Sequence, residues 1–543
     1  MPQQGTRTSG IAPNIYWDKS SYVLGVSLTS KRFKEEHDAF VKLHLELLKE
    51  SDDLGLQALS TFLNSWESES FESNPLLQPL SETLIDSNLV FRLDGDLCYL
   101  HEREAAKNIR DKLLLGTSET QQSICLVSGL PAKIERIHTN IKNVNGAQTA
   151  GASIVSFNKN AFESYGKEQG ANAPVSEQAT FAYTTALNYL LRRDVSNRQR
   201  LQLGDATVVF WAEAKSQVSV DAGEDLFAAF IDPEAKDEQE AEKLKRALDA
   251  VRQGRPLTDL NKELTDDIQI YILGLAPNAA RLSIRYWQAD SLQVFAKRLA
   301  QHYEDLRIEP LPWRTPPAIW RLLQETAPYY FNKKLNKKEP KEDRISPMLA
   351  GEVTRAVLTG NAYPYSLVSN LLMRFRADGQ VTGLRVALIK AAITRLARLT
   401  NTSNSKGEMP VSLDTTNRQP GYLLGRLFST LEKIQQDALG GDVSATIRDR
   451  YYGAASATPA HIFPVLLRNT QNHLAKVRKD KPGLAVNREK ILGEVIDNLE
   501  SDFPKSLRIE AQGQFALGYY QQKQAFFTKK ETSEVENLIE DKK

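Results

Sequence analysis

Apolar positions along this chain change rhythm several times, and each change marks a different kind of structure. Residues 15–28 (IYWDKSSYVLGVSL) carry aromatic and aliphatic side chains around a polar break, which predicts an extended segment. Phe33, His37, Phe40, Val41, His44 and Leu48 recur at helical spacing, so 31–50 is a predicted helix, with a second at 53–66. Strand-like runs at 88–93 and 97–101 flank Asp94-Gly95, a good hairpin turn. A helix at 103–115 and a strand at 124–128 follow.

From His138 to Ser176 the apolar rhythm stops. The segment is dense in Asn, Gln, Ser and Gly, and its one run of large aliphatic residues is Ile154-Val155. No core can be built from it, and a polar stretch this long inside a globular chain is seldom a passive connector. Amide and hydroxyl side chains suit phosphates and base edges, and glycine lets backbone approach a ligand closely.

Periodic structure then resumes. Ser176 can cap a helix at 176–193 in which Thr180, Tyr183, Thr184, Leu187 and Leu190 recur. TVVFWA (207–212) reads as a buried strand, 221–253 as an acidic helical insertion, 268–275 and 281–287 as strands, and 290–306 as a helix. Proline punctuation at 310–317 predicts a boundary. Beyond it the pattern predicts helices at 317–326, 346–359, 364–376, 380–400, 418–439, 443–452, 458–478, 485–500 and 506–524, and no convincing strand. The predicted class is α+β: a mixed α/β N-terminal domain (1–308), a helical region with basic faces (309–408) and an all-α C-terminal helical bundle (409–543).

Composition adds limits. With 41% hydrophobic and 25% charged residues among 543, the chain has material for large cores. No window of ~20 apolar residues predicts a membrane span, and the first residues lack the apolar run of a signal peptide. Cys98 and Cys125 sit in no metal or redox spacing, which suits free thiols in a reducing cytoplasm. A net charge of +1 argues against nucleic-acid binding by overall charge. It leaves room for local patches and for work inside a ribonucleoprotein.

Candidate chemistry is sparse. Gly146 and Gly151 have the spacing of a phosphate-binding loop, but Ala152 stands where the lysine belongs. The seven histidines form no catalytic set, and no metal-binding constellation is evident. His138 opens the polar segment, where it either meets a phosphate or caps a turn. Glu213, with Asp205 nearby, is the one carboxylate worth weighing as catalytic. Basic residues cluster at 332–341 (NKKLNKKEPK) and along the helical series Arg374, Arg376, Arg385, Lys390, Arg395 and Arg398. Arg385 and Arg395 are ten apart and fall on one side of a helix, either as a solvated face or as a groove for a nucleic-acid backbone. The helix at 418–439 is amphipathic, with Tyr422, Leu423, Leu427, Leu431 and Ile434 inward and Arg418, Arg426 and Lys433 on the polar side.

Five blocks carry a family resemblance. RTSGIAPNIYWDKSSYVLG (7–25), SICLVSGLPAKIERIHTNIKNVNGAQTAGASIVSFNKNAFESYGKEQGANAPVSEQATFAYTTALNYLL (123–191), GDATVVFWAE (204–213), LGLAPNAARLSIRYW (273–287) and GYLLGRLFSTLEKIQQDALGGDVSATIRDRYYGAASATPAHIFPVLL (421–467) all resemble the large subunit of the type I-C CRISPR surveillance complex, Cascade. The blocks occur in the family's order over nearly the whole chain. The resemblance implies several tens of residues of strand-bearing sequence ahead of the first block, whereas the given sequence starts almost at that block.

The resemblance implies a non-catalytic role that needs no cofactor or metal. It implies a subunit at the 5′ end of the guide CRISPR RNA, beside the backbone and guide-processing subunits. It further implies recognition of a TTC-like protospacer-adjacent motif on target double-stranded DNA, help in R-loop formation, and docking of the helicase-nuclease. Guide pairing supplies the long readout, so the protein need read only a few base pairs through donors and acceptors on loops. The candidates for DNA contact are Arg7, Thr8, Ser9 and Asn14 in the first block, and Lys142, Asn143, Asn145, Gln148, Ser153, Asn158 and Lys167 in the polar segment. For the displaced strand or its backbone they are Lys333, Lys334, Lys337, Lys338, Arg385, Arg395, Arg418 and Arg426. In this family the C-terminal part is also made separately as a small subunit. Met409 is the candidate internal start, because codons for Lys406-Gly407-Glu408 can spell a ribosome-binding sequence. The competing readings are a metal-dependent nuclease using Glu213 and Asp205, and a stand-alone nucleic-acid binder.

Overall fold

A computed structural model describes residues 10–116, 123–231, 238–400, 409–440, 445–499 and 502–527. They form two compact units: Met1–Thr139 with Val155–Thr185, and Asn140–Ile154 with Ala186–Lys543. The polar segment is thus shared between them. Among the described residues no helix is long and apolar enough to cross a membrane.

The first unit has its own core of Tyr16, Tyr22, Phe40, Leu48, Leu56, Leu59, Leu63 and Phe71. Helix Phe33–Leu48 buries His37, Phe40, His44 and Leu48 of the predicted stripe, while Phe33 and Val41 are half-buried, and His44 is part of its logic. The Tyr16 backbone N–H donates to His44 Nε2 (2.8 Å), so the ring proton sits on Nδ1 and is donated to the Phe40 carbonyl (2.8 Å). Burial pushes the His44 pKa down to about 4, which keeps this tautomer neutral. Asp53 caps helix Leu54–Ser65 by accepting from the Leu56 N–H (3.0 Å).

Several short strands differ from expectation here. Of 15–28 only Trp17–Lys19 is extended, and Ser20–Val23 turns helical at the polar break. Trp17–Lys19 pairs antiparallel with Asn88–Val90. Residues 97–101 form no strand: the Glu102 carboxylate accepts from the Tyr99 N–H (2.8 Å), and Leu100–Glu102 is a 3₁₀ turn. Of the run 124–128 only Ile124 is paired, in the short strand Ser123–Ile124, because Gly129, at φ +71°, turns the chain back at once. Cys98 and Cys125 are free thiols.

The second unit is built on a four-stranded antiparallel meander, Arg200–Leu203, Ala206–Glu213, Gln269–Asn278 and Arg281–Ser291, in that order. Helices Gln217–Ile231 and Glu238–Arg252 interrupt it. The described part of the acidic insertion packs through its apolar positions. Its apolar positions Phe227, Phe230, Ile231, Leu244, Leu248 and Val251 are all buried, with the Phe227 ring 4.9 Å from Phe210 and 5.5 Å from Phe295.

One continuous core runs from Leu203 to Tyr520. The expected divisions at 308 and 408 therefore do not separate packed bodies. The proline-rich stretch crosses this core, with Ile308 and Ile319 buried on either side of it. A hairpin, Tyr329–Asn332 paired with Lys337–Pro340, also lies in the region expected to be free of strands.

Helix Pro420–Leu439 is the axis of the C-terminal part, and its polar side is not free. It crosses Ile509–Ala525 backbone to backbone: a Cβ on Gly425 would lie 2.1 Å from the Phe515 carbonyl, and one on Gly518 2.2 Å from that of Tyr422. At that separation Arg426, Ser429, Thr430 and Glu432 are enclosed along with the leucines.

Candidate nucleic-acid interface

Residues 140–154 form an arch. Ile141 and Ala152 exchange both backbone hydrogen bonds (2.9 Å each) and close it at the base. Gly151, at φ +89°, has no room for a side chain: a Cβ would stand 2.8 Å from the Ile141 carbonyl oxygen. A phosphate-binding loop leads into a helix, whose N-terminus holds the anion. Here Gly151 leads into the Ile141–Ala152 bridge, so the glycine spacing serves an arch and not a nucleotide.

The arch is bolted to the sheet. The Asn145 N–H donates to Thr207 Oγ1 (2.9 Å), and its Nδ2 donates to Gln202 Oε1 (2.6 Å). Ser153 Oγ donates to Asn140 Oδ1 (2.7 Å), and the Ser153 carbonyl accepts from the Leu282 N–H (2.9 Å). The Lys142 N–H donates to Asn188 Oδ1 (2.7 Å). Asn145 and Ser153 are therefore frame residues. Lys142, Asn143 and Gln148 are exposed on that frame.

Beside them lies a feature the sequence reading missed. Arg200 Nη2 (2.8 Å) and Arg193 Nη2 (3.2 Å) both donate to Asn145 Oδ1, and Arg200 also donates to the Asn143 carbonyl (3.1 Å). Among the described residues neither guanidinium has a carboxylate partner, and Arg200 Nε is buried with no acceptor. Burial, then the charge of Arg193, pull the Arg200 pKa below its ordinary value. Two converging cations without a carboxylate partner can accept an anion. The signal was present in RRDVSNRQR (192–200), which places four arginines in nine residues.

Other candidates fall elsewhere. Arg7, Thr8 and Ser9 lie outside the described residues. Asn14 is buried at 3% exposure, which corrects its assignment to DNA contact; its N–H donates to Asp18 Oδ2 (2.8 Å). Asn158 and Lys167 are exposed but belong to the first unit, not to the arch. His138 is buried there too, its Nδ1 2.6 Å from the Tyr183 hydroxyl, so it packs and meets no phosphate.

Three arginines assigned to the displaced strand are corrected. Arg385 is fully buried and all five of its N–H donors are used: Nε on the Glu325 carbonyl, Nη1 on Asp378 and the Gln380 carbonyl, Nη2 on Asp378 and the Ala327 carbonyl. Arg395, also buried, donates to Asp305 Oδ2 (2.8 Å) and the Ala356 carbonyl (3.0 Å). Arg426 donates to Gln522 (3.0 Å) and Glu494 (2.9 Å) inside the bundle. Helical periodicity put Arg385 and Arg395 on one side correctly, but that side faces protein. Arg418 is exposed, as are Lys333, Lys334, Lys337 and Lys338 on the hairpin.

The carboxylates are no better placed for catalysis. Glu213 accepts from the Tyr271 hydroxyl (2.8 Å) and Asp205 pairs with Arg285 (2.7 Å). They flank opposite ends of the strand Ala206–Glu213, roughly 25 Å apart at ~3.3 Å per residue. Among the described residues no group of three His, Cys, Asp or Glu could hold a metal ion.

The model of the CRISPR-associated protein family Cas_Csd1 matches residues 1–527. The chain belongs to this family. It is a type I-C Cascade large subunit, and the Csd1 family is one of structural subunits of that complex. Among curated proteins none matches the chain.

Proposed function

We propose that this Csd1 protein is the non-catalytic motif reader of its Cascade. In this reading it contacts the guide RNA end, reads a short TTC-like motif on the target duplex, aids R-loop formation and recruits the helicase-nuclease. The observation that carries the proposal is the bolted arch: Lys142, Asn143 and Gln148 stand exposed on a frame beside the counter-ion-free Arg193–Arg200 pair. Arginine on phosphate positions the protein on DNA, and amides supply the donors and acceptors that read base edges.

The test is binding of the assembled, guide-loaded complex to matched duplexes with the motif intact or scrambled, with and without this chain. At roughly 1–3 kcal/mol per mismatched pair, scrambling should weaken binding by at least about 100-fold, and only when the chain is present. Equal affinity for both duplexes would sink the reading.

The C-terminal small subunit belongs to the same proposal. Residues from Met409 onward contain the close Pro420–Leu439 and Ile509–Ala525 crossing, which forms the C-terminal end of the continuous core. Their start is tied to their end, since Gln521 Nε2 donates to the carbonyls of Pro410 (3.0 Å) and Val411 (2.9 Å). Replacing the Met409 codon should abolish a C-terminal fragment in expressing cells and spare the full chain. An unchanged small band on a gel would count decisively against the internal start.

A further inference from the structure

The hairpin Tyr329–Asn332/Lys337–Pro340 combines a fixed root with an uncovered tip. At the root the Tyr329 ring lies under the Arg385 guanidinium (4.8 Å), its hydroxyl donates to Glu325 (3.1 Å) and its N–H donates to Asp378 (3.3 Å). The buried charges around Arg385 are thus the mount of a smaller element. At the tip Phe331 is 53% and Leu335 58% exposed.

The two faces of the hairpin differ chemically. On one, Tyr330 stands opposite Glu339, which accepts from Asn332 Nδ2 (2.6 Å) and pairs with Lys337 (3.0 Å). That face is internally neutralised. On the other, Phe331 stands opposite Lys338, and among the described residues neither Lys338 nor the turn residues Lys333 and Lys334 has an acidic partner. An exposed ring flanked by three unpaired ammonium groups matches an unpaired base with its neighbouring phosphates. Lysines alone would suffice to keep an edge strand from aggregating; an exposed phenylalanine works against that purpose.

We propose that Phe331 is a stacking platform for single-stranded DNA, with Lys333, Lys334 and Lys338 taking the adjacent phosphates. The inference deepens the proposed function, on which it rests only for naming the strand as the displaced one. Because every base has a π face, such a site is sequence-tolerant and suits a strand whose sequence changes with each guide.

The experiment is fluorescence anisotropy of the full chain with labelled oligothymidylate at low salt. Phe331→Ala should weaken binding by about 5- to 100-fold, and Tyr330→Ala by less. An oligomer lacking bases should bind wild type and F331A equally. Lys333→Gln, Lys334→Gln and Lys338→Gln together should lower the salt slope by ~2, at ~0.7 per phosphate contact. Phe331 is exposed, so melting temperatures should not move; should F331A fail to fold, the lysine variant still decides. The proposal is overturned by no binding of wild type, by unchanged binding of F331A and the lysine variant, or by tighter binding of duplex or oligouridylate. Loss of motif discrimination in the assembled complex, with strand binding intact, would sink only the motif-reading proposal. The reverse result would sink only this one.

Discussion

Replacing Asp305 with Ala should lower the unfolding free energy of the full chain by about 3–5 kcal/mol, the usual cost of orphaning one partner of a buried ion pair. Asp305 is 2% exposed near the end of helix Leu292–Leu306. Its carboxylate accepts from Arg395 Nε (2.8 Å) and from Arg398 Nη1 and Nη2 (2.8 and 2.9 Å), while its carbonyl accepts from Lys390 Nζ (3.0 Å). Burial alone would raise the Asp305 pKa, yet the bonds from Arg398 and Arg395 outweigh it and the net shift is downward. The cluster's stability is therefore present above the unfolded carboxyl pKa and is lost as pH falls through the lower folded one. Without Asp305, Arg395 keeps its charge at 1% exposure with Lys390 close by. Urea unfolding followed by circular dichroism reads the loss, and a change under about 1 kcal/mol would show that water or repacking replaces the carboxylate.

Asp305 also shows what could be read from the chain and what could not. The arginines of helix Gly383–Leu399 were legible as a set with helical phase, and the helix itself was placed to within three residues at its start. Their partners lie far off in sequence: Asp305 is 90 residues from Arg395, and Glu325 is 60 from Arg385. Periodicity assigns residues to a face without saying what the face meets, so burial of charge stayed hidden. The same limit applies to Asn145, whose amide looked free to read DNA until Gln202 and Thr207 were brought to it by the sheet. The polar segment was recognisable because it lacks core-forming residues. Its division between two units was not, since nothing local marks the Ile141–Ala152 bridge. The lysine-rich hairpin escaped because strand signals rest on apolar alternation, and here lysines occupy the paired positions.

Arg193→Gln with Arg200→Gln should weaken target-duplex binding by the guide-loaded complex on the order of 100-fold, given about 1.5–3 kcal/mol per charge-assisted hydrogen bond and screening at the exposed Arg193. The expectation follows from what the pair lacks. Elsewhere in this unit buried arginines are matched: Arg385 has Asp378 and Arg395 has Asp305. Arg193 and Arg200 share a single neutral amide oxygen. Holding two cations that close costs folding energy, and a phosphate would relieve it on binding. A phosphate contact carries no sequence information, so the loss should be equal for intact and scrambled motifs, and the salt slope should fall by about 2. Gln148→Ala should behave in the opposite way, shrinking the difference between the two duplexes with little effect on salt dependence. Arg193→Lys with Arg200→Lys keeps the charge but loses the fork that engages Asn145, so it should recover the slope better than the affinity. If the glutamine pair binds as wild type does, the arginines serve only to hold the arch. The chain should then melt at a lower temperature with its DNA affinity unchanged.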